Sequence, residues 1–318
     1  MRPYRKPKIG LALGSGAARG WAHLGVLDVL EERGVQPEVV VGTSIGAVVG
    51  AAFAVGQLAD FNDWVDKMDR REVAGYFDLS LRGGFIQARR VFNAMSRAIP
   101  DRPIEDIPVS FAAVATDLVT GQELWLREGS MYAALRASTA LPGLVSPSHV
   151  DGRWLVDGGL VNPVPVSVCR ALGADVVIAV DLNTTLIGRR GTSRSTDGNE
   201  GSGSSDASAT KPRSVPALDS IRSAVQGFGT EIRQRLLNED PGTPTGSPSI
   251  YDVVANSINI MQARVTRSRM AGDPPDIQIA PQLGEFGLLD FDKSEEAIAE
   301  GRRATVQALE GNTAALLE

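Results

Sequence analysis

The chain has 318 residues, 43% of them hydrophobic, and a formal net charge of −6. That is enough for one large domain or two small ones with a sizeable core, and the mild acidity argues against a nucleic-acid partner, which calls for a broad basic surface. A single cysteine, Cys169, excludes an internal disulfide framework and any Cys-rich metal site, and fits a reducing compartment. The N-terminal MRPYRKPK is basic but leads straight into a strand-like run, with no hydrophobic signal core behind it. The longest small-apolar stretch, Ile45 to Val55, is too short for a bilayer span, which takes ~20 residues. The expectation is a soluble, cytoplasmic protein, with a peripheral contact between the basic start and an anionic membrane as a secondary one.

Ile9 to Leu13 predicts a first short strand. It runs into Gly14-Ser15-Gly16-Ala17-Ala18-Arg19-Gly20 and then a helix to about Arg33. Trp21, Leu24, Val26, Leu27 and Leu30 give that helix an apolar face, and Gly34 sits where a C′ glycine ends it. Val39-Val40-Val41 predicts a second, buried strand stopping at Gly42, followed by Thr43-Ser44-Ile45-Gly46 and a small-residue run that suits a helix. Two β-loop-α units in succession imply parallel strands and right-handed crossovers, so the architecture is α/β. Leu58 to Ile99 reads as helical with breaks: Phe61, Trp64, Val65 and Met68 keep helical spacing, and Arg82-Gly83-Gly84 interrupts. We expect another helical layer there, with a cap over an active site as the alternative.

Val109 to Thr116 and Gln122 to Leu126 predict a hairpin added to the sheet, with Gly121 in its turn. Ser130 to Ser138 is helical and Leu141-Pro142-Gly143 breaks it. His149 to Val156 carries the hairpin pair Asp151-Gly152, and Asp157-Gly158-Gly159 follows. Cys169 falls in an apolar helix-like run, Val166 to Leu172, and reads as a buried structural thiol. Val176 to Val180 is a buried parallel strand. From Thr184 to Ser249 the character changes: the run from Gly191 lacks large apolar residues and predicts a mobile insertion, broken by a helical piece from Ala217 to Leu237. Tyr251 to Met270 is then a helix with Ile258, Met261 and Val265 on one face. Asp276 to Ala280 is a last strand. Ser294 to Leu309 is a terminal helix with Ser294 as N-cap and Glu295-Glu296 in its first turn. The whole, 1–318, reads as one catalytic domain with a flexible insertion at 184–250.

Gly42-Thr43-Ser44-Ile45-Gly46 is the G-x-S-x-G pattern of a nucleophile elbow, standing between a strand and a helix as such an elbow must. Gly42 and Gly46 let the backbone turn sharply, leaving the Ser44 hydroxyl exposed at the positive end of a helix dipole. A serine hydrolase also needs donors for an oxyanion. The loop Gly14 to Gly20 follows the first strand and can aim backbone N–H groups, with the charge of Arg19 at its end. It lacks the Lys-Ser/Thr ending of a P-loop, and the spacing of Gly14, Gly16 and Gly20 is one residue too long for G-x-G-x-x-G. Alone it favours anion binding of some kind; beside the elbow it favours an oxyanion hole.

The chain has two histidines. His23 lies one turn past the loop, where packing or capping is the expected role. The order Ser…Asp…His would take Ser44, Asp117 and His149, as in a carboxylesterase of α/β-hydrolase type, although the nucleophile here follows only the second strand. The other candidate base is Asp157, whose following glycines let the backbone bring the carboxylate against a neighbouring loop. The plain alternative for Asp-Gly-Gly is an ordinary turn. An unperturbed Asp, with a pKa near ~3.9, is a feeble base toward a hydroxyl, and desolvation beside the serine would raise it.

In that order, GSGAARGWAHLGVL, GTSIG and DGG resemble the motifs of the patatin-like phospholipases, most nearly the bacterial branch related to the catalytic domain of neuropathy target esterase. AVATDLVTGQELWLREG, RASTALPGLVSP and VDGGLVNPVP read like the same family. The similarity covers about residues 8–183 and resumes around 251–291. It implies a three-layer α/β/α sandwich with a mostly parallel central sheet. It also implies a Ser–Asp dyad without histidine, Ser44 as nucleophile and Asp157 as base. The oxyanion hole would come from Gly14, Ser15, Gly16, Ala17, Ala18, Arg19 and Gly20, with Arg19 in the position of the family's basic residue and Ser15 where the family often has glycine. The implied reaction is hydrolysis of a carboxylic ester in a phospholipid or lysophospholipid at a membrane surface, through an acyl-enzyme and with no metal or cofactor. A non-catalytic acyl-lipid-binding regulatory protein on the same fold is the remaining reading.

Overall fold

The computed structural model describes residues 5–68, 71–73, 89–96, 98–184 and 250–310. The body of the expected insertion, its helical piece and the Arg82-Gly83-Gly84 break lie outside the described residues. Five strands run parallel: β1 (Ile9–Leu13), β2 (Val39–Thr43), β3 (Ser110–Asp117), β7 (Val176–Val180) and β8 (Ile277–Ile279). β4 (Glu123–Leu126), β5 (Ser148–Val150) and β6 (Arg153–Asp157) join antiparallel. The order is β5-β6-β3-β2-β1-β7-β8, with β4 attached to β3. Asp151 and Gly152, with φ of 47° and 77°, supply the two positive φ values that the tight β5–β6 hairpin needs.

The helices are α1 (Ala22–Glu32), α2 (Ile45–Ala54), α3 (Leu58–Asp66), α4 (Arg89–Met95), α5 (Met131–Ser138), α6 (Val166–Ala171), α7 (Ile250–Gly272) and α8 (Ser294–Glu310). Both faces of the sheet are covered, which is why β1 and β2 read as near-continuous apolar runs. The two-residue period sorts them: Ile9, Leu11, Leu13, Val40 and Ile178 enter a large cluster with α1, α2 and α8. Ala12, Val39, Val41, Ala112 and Ala179 enter a smaller one with α6 and the fully buried Cys169, whose thiol burial pushes far up in pKa. This is the α/β/α sandwich with a mostly parallel sheet.

Two local expectations change. On α7 the buried positions are Ile258, Gln262, Ala263 and Thr266, while Met261 is 40% exposed. This stripe carries polar groups because the helix lies over a polar loop rather than over the apolar core. Ser294 is already helical: the carbonyl of Lys293 accepts from Ala297 N at 3.3 Å, so Lys293 is the capping position. Arg5, in the basic start, is paired with Asp175 at 2.7 Å. No helix among the described residues is long and apolar enough to cross a membrane.

Candidate active site

The site is built where two strands meet end to end. β4 pairs with Ala113 to Thr116 of β3. β2 pairs with Ser110 to Val114, and β6 with Ala115 to Asp117. Since β4 overlaps both partners, β2 and β6 must share the opposite edge of β3. β2 ends with Thr43 beside Val114, and β6 arrives from the other direction with Asp157 beside Ala115. The residue after Thr43 is Ser44, and its Oγ donates a hydrogen bond of 2.6 Å to Asp157 Oδ2.

Ser44 has φ 58° and ψ −126°, a conformation in which a side chain is strained. What holds it there is the approach of its neighbours. A Cβ on Gly42 would fall 2.3 Å from Ala47 N, and one on Gly46 2.3 Å from the carbonyl oxygen of Leu13. The Ser44 N–H donates to Ser138 Oγ of α5 at 2.9 Å. The sequence does not mark Ser138 for this role, although it lies in the RASTALPG segment that carries part of the family resemblance.

Asp157 is fully buried and fixed at every polar atom. Its N–H donates to Ala140 O (3.0 Å) and its carbonyl accepts from Thr116 Oγ1 (2.8 Å). Oδ1 accepts from Gly159 N (2.7 Å), and Oδ2 takes the Ser44 hydroxyl. Burial raises its pKa to about 6, against the pull of the Ser44 and Gly159 hydrogen bonds. Such a carboxylate is ionised at neutral pH yet more basic than an exposed one.

The loop Gly14 to Gly20 packs beside the elbow, because β1 and β2 are parallel neighbours. The expectation of seven candidate donors narrows. Gly14 N donates to Val180 O, Ser15 N to Pro163 O, Ala18 N to Leu288 O and Arg19 N to Gly16 O. Gly20 lies inside a short 3-10 turn, Ala17–Trp21. Among the described residues, the N–H groups of Gly16 and Ala17 are left without an acceptor. Arg19 is 1% exposed, so its charge lies under the loop rather than at its end. Its Nε donates to Gly16 O at 3.1 Å and its Nη2 to Asn259 Oδ1 of α7 at 3.0 Å. A trans peptide points its C=O and N–H in opposite directions. Pulling the Gly16 carbonyl toward Arg19 therefore turns the Ala17 N–H the other way.

Ala17 and Ser44 line the same cavity, of about 160 Å³. Apart from Thr139 its other walls are apolar, among them Trp21, Ile45, Val48, Phe92, Leu144 and Phe291. Trp64, Met68 and Val73 also line it, so the segment after α2 walls the cavity beside Ser44 and is more than a further layer. The alternative triad is not assembled. Asp117 accepts from Val119 N, Thr120 N and Arg153 Nη1, and the exposed His149 packs edge-on against Trp154 at 4.9 Å. His23 is buried with its Nε2 at 2.8 Å from Gly14 O, and burial lowers its pKa to about 4, so it is neutral and acts as a brace for the loop.

Fold and site define an α/β/α protein with a hydroxyl–carboxylate pair at the meeting of two strands, facing an apolar cavity. The sequence profile of the family described as Patatin-like phospholipase matches residues 11–170. An NTE family protein of Mycobacterium tuberculosis is 34% identical, over 98% of this chain and 93% of that protein. A second from the same organism is 30% identical, over 95% of this chain and 46% of that protein. Patatin-like phospholipase domain-containing protein 6 of Mus musculus is 35% identical over 55% of this chain and 14% of that protein. The chain belongs to the patatin-like phospholipase family, and that membership supports a lipid hydrolase role.

Proposed function

We propose that the chain cleaves carboxylic ester bonds of phospholipids or lysophospholipids, with Ser44 as nucleophile and Asp157 as its base. The observation that carries this reading is the 2.6 Å hydrogen bond from Ser44 Oγ to the buried Asp157, in the wall of an apolar cavity. An acyl chain lies in that cavity with its carbonyl carbon at Ser44. Ser44 Oγ attacks this carbon as its proton passes to Asp157 Oδ2, and the carbonyl oxygen takes the displaced electron pair. The N–H groups of Gly16 and Ala17 are its donors. Collapse breaks the ester C–O bond; the lysolipid or glycerophospho-compound leaves with the proton from Asp157, and the acyl group stays on Ser44. Water then attacks the same carbon while Asp157 takes its proton. Expulsion of Ser44 Oγ, reprotonated by Asp157, frees the fatty acid. The substrate is met at a membrane surface, with the protein bound peripherally from the cytoplasmic side.

A panel of phospholipids, lysophospholipids and neutral lipids, with products read by mass spectrometry, tests the reading. Wild type releases fatty acid and is labelled at Ser44 by a fluorophosphonate; Ser44→Ala does neither. Lipid binding without turnover or labelling in the folded wild type would establish the acyl-lipid-binding reading instead.

A further inference from the structure

Under the loop Gly14 to Gly20 lies a cluster of buried polar side chains that the chemistry above does not use. Asn183 follows β7 and is 1% exposed; Gln262, on α7, is 4% exposed. Asn183 Nδ2 donates to Ser15 O at 3.1 Å and approaches Gln262 Oε1 at 3.4 Å. The same Gln262 oxygen accepts from Ser15 Oγ at 3.0 Å. The orientation of the Asn183 amide is fixed by chemistry: the Ser15 carbonyl can only accept, so the NH2 and not the oxygen must face it, and Gln262 in turn presents its oxygen to that NH2. The main chain at Asn183 is anchored through its own N–H to Asp181 Oδ1 at 2.9 Å.

Ser15 C=O and Gly16 N–H belong to one planar trans peptide and point in opposite directions. We propose that Asn183 is a positioning residue of the oxyanion hole: by holding the Ser15 carbonyl it turns the Gly16 N–H toward the cavity, with Gln262 bracing both Asn183 and Ser15. This rests on the reading of Ser44 as the nucleophile. Arg19 does the same for the next peptide, so each of the two free donors has its own buried side chain behind it. Asn183 Oδ1 is buried and, among the described residues, has no hydrogen-bond partner. An acceptor left unpaired in the interior is a cost to folding, which argues that the amide is there for the donor on its other arm. Gln262 also reaches the base: a Cβ on Gly159 would fall 2.3 Å from Gln262 Nε2, so this one side chain lies between the loop and the turn that carries Asp157.

The test compares Asn183→Ala, Asn183→Asp, Gln262→Met and Gln262→Glu with wild type and Ser44→Ala. It measures kcat and KM on a short-chain p-nitrophenyl ester, inhibition by an alkyl trifluoromethyl ketone, and folding by circular dichroism. The ketone forms a tetrahedral oxyanion on the serine and so reads the hole directly. Asn183→Ala and Asn183→Asp, both lacking the donor, are expected to lower kcat by about tenfold to a hundredfold, somewhat less than deleting a donor outright. KM should stay within about twofold while ketone affinity falls in step with kcat, as expected for an interaction made only in the transition state. Gln262→Glu, which keeps an acceptor oxygen, should retain most of kcat above the acid limb of the pH profile, whereas Gln262→Met should not. Should the Asn183 variants fail to fold, the Gln262 pair decides. Folded variants with wild-type kcat and wild-type ketone affinity would overturn the positioning role while Ser44-dependent turnover stands. Absence of Ser44-dependent turnover in the wild type would overturn both readings.

Discussion

Ser44 and Asp157 are 113 positions apart in the chain and 2.6 Å apart in space because β2 and β6 abut on one edge of β3. Register, rather than a long flexible side chain, sets the distance. A one-residue slip of β6 would carry the carboxylate to the other face of the sheet. The Thr116 hydroxyl on the Asp157 carbonyl, and the Asp157 N–H on Ala140 O, lock that register from both sides.

The pH dependence follows from the burial of Asp157. Its pKa is raised to about 6, and only the ionised form can take the Ser44 proton. Ester hydrolysis should therefore rise with pH through about 6 and then level off. His23 stays neutral across this range, its pKa lowered to about 4, and His149 lies outside the pair. A kcat/KM profile with a single acid limb is expected, unchanged in His149→Ala. Loss of turnover in a folded His149→Ala protein would contradict it.

Asp157→Asn should abolish turnover and stabilise the fold. The carboxyl pKa is raised in the folded state, from 3.8 to about 6. Between those values the folded chain holds a proton that the unfolded chain releases, so stability falls as pH rises through that window and stays lower above it. The penalty at neutral pH is roughly 3 kcal/mol by the usual conversion of a pKa shift. An amide keeps the shape and an acceptor for Gly159 N without the charge. Urea unfolding at pH 7 and at pH 4 checks this: the variant should gain at the higher pH and lose most of its advantage at the lower.

Much of this was legible in the sequence, and the reason is local. The elbow, the loop before it and Asp-Gly-Gly are each short runs whose chemistry sits in consecutive residues, and the apolar strands carry their own period. What stayed hidden depends on partners far apart in the chain. Asn183 and Gln262 meet across 79 positions, with the body of the expected insertion between them, and neither stands in a spacing that marks a function. On α7 an apolar pattern pointed to Ile258, Met261 and Val265, yet the helix turns Gln262 and Thr266 inward because a polar loop lies beneath it. Gly25 and Gly301 carry no mark in the sequence either; a Cβ at either would fall 2.0 Å from a carbonyl oxygen of the opposite helix, so they are where α1 and α8 cross.

Ser138→Ala should weaken catalysis without touching the cavity. Ser138 Oγ is the acceptor for the Ser44 N–H, and Ser138 is fully buried. Removing it leaves a partly buried donor without its acceptor, at a cost of up to about 1–3 kcal/mol, on a residue already held at φ 58°. Relaxation of that strain moves the hydroxyl off Asp157. A fall in kcat with KM little changed, and a lower melting temperature, are the expected outcomes. Unaltered kcat in the folded variant would show that the glycines alone hold the elbow.

Substitution of the cavity wall should change which acyl chains are accepted. The cavity beside Ser44 is about 160 Å³, and Leu144 is one of its partly exposed lining residues. Leu144→Trp adds volume at the wall without altering Ser44, Asp157 or the loop. An acetyl ester needs little of the cavity, whereas a longer chain gains about 0.8 kcal/mol for each methylene it buries there. The variant should keep acetyl ester hydrolysis near wild type and lose kcat/KM progressively as the chain lengthens, the steepest loss falling where the wild-type chain first fills the space. A series of p-nitrophenyl esters from acetyl to palmitoyl reads this. A uniform loss at every length would place the substrate's acyl chain elsewhere on the protein.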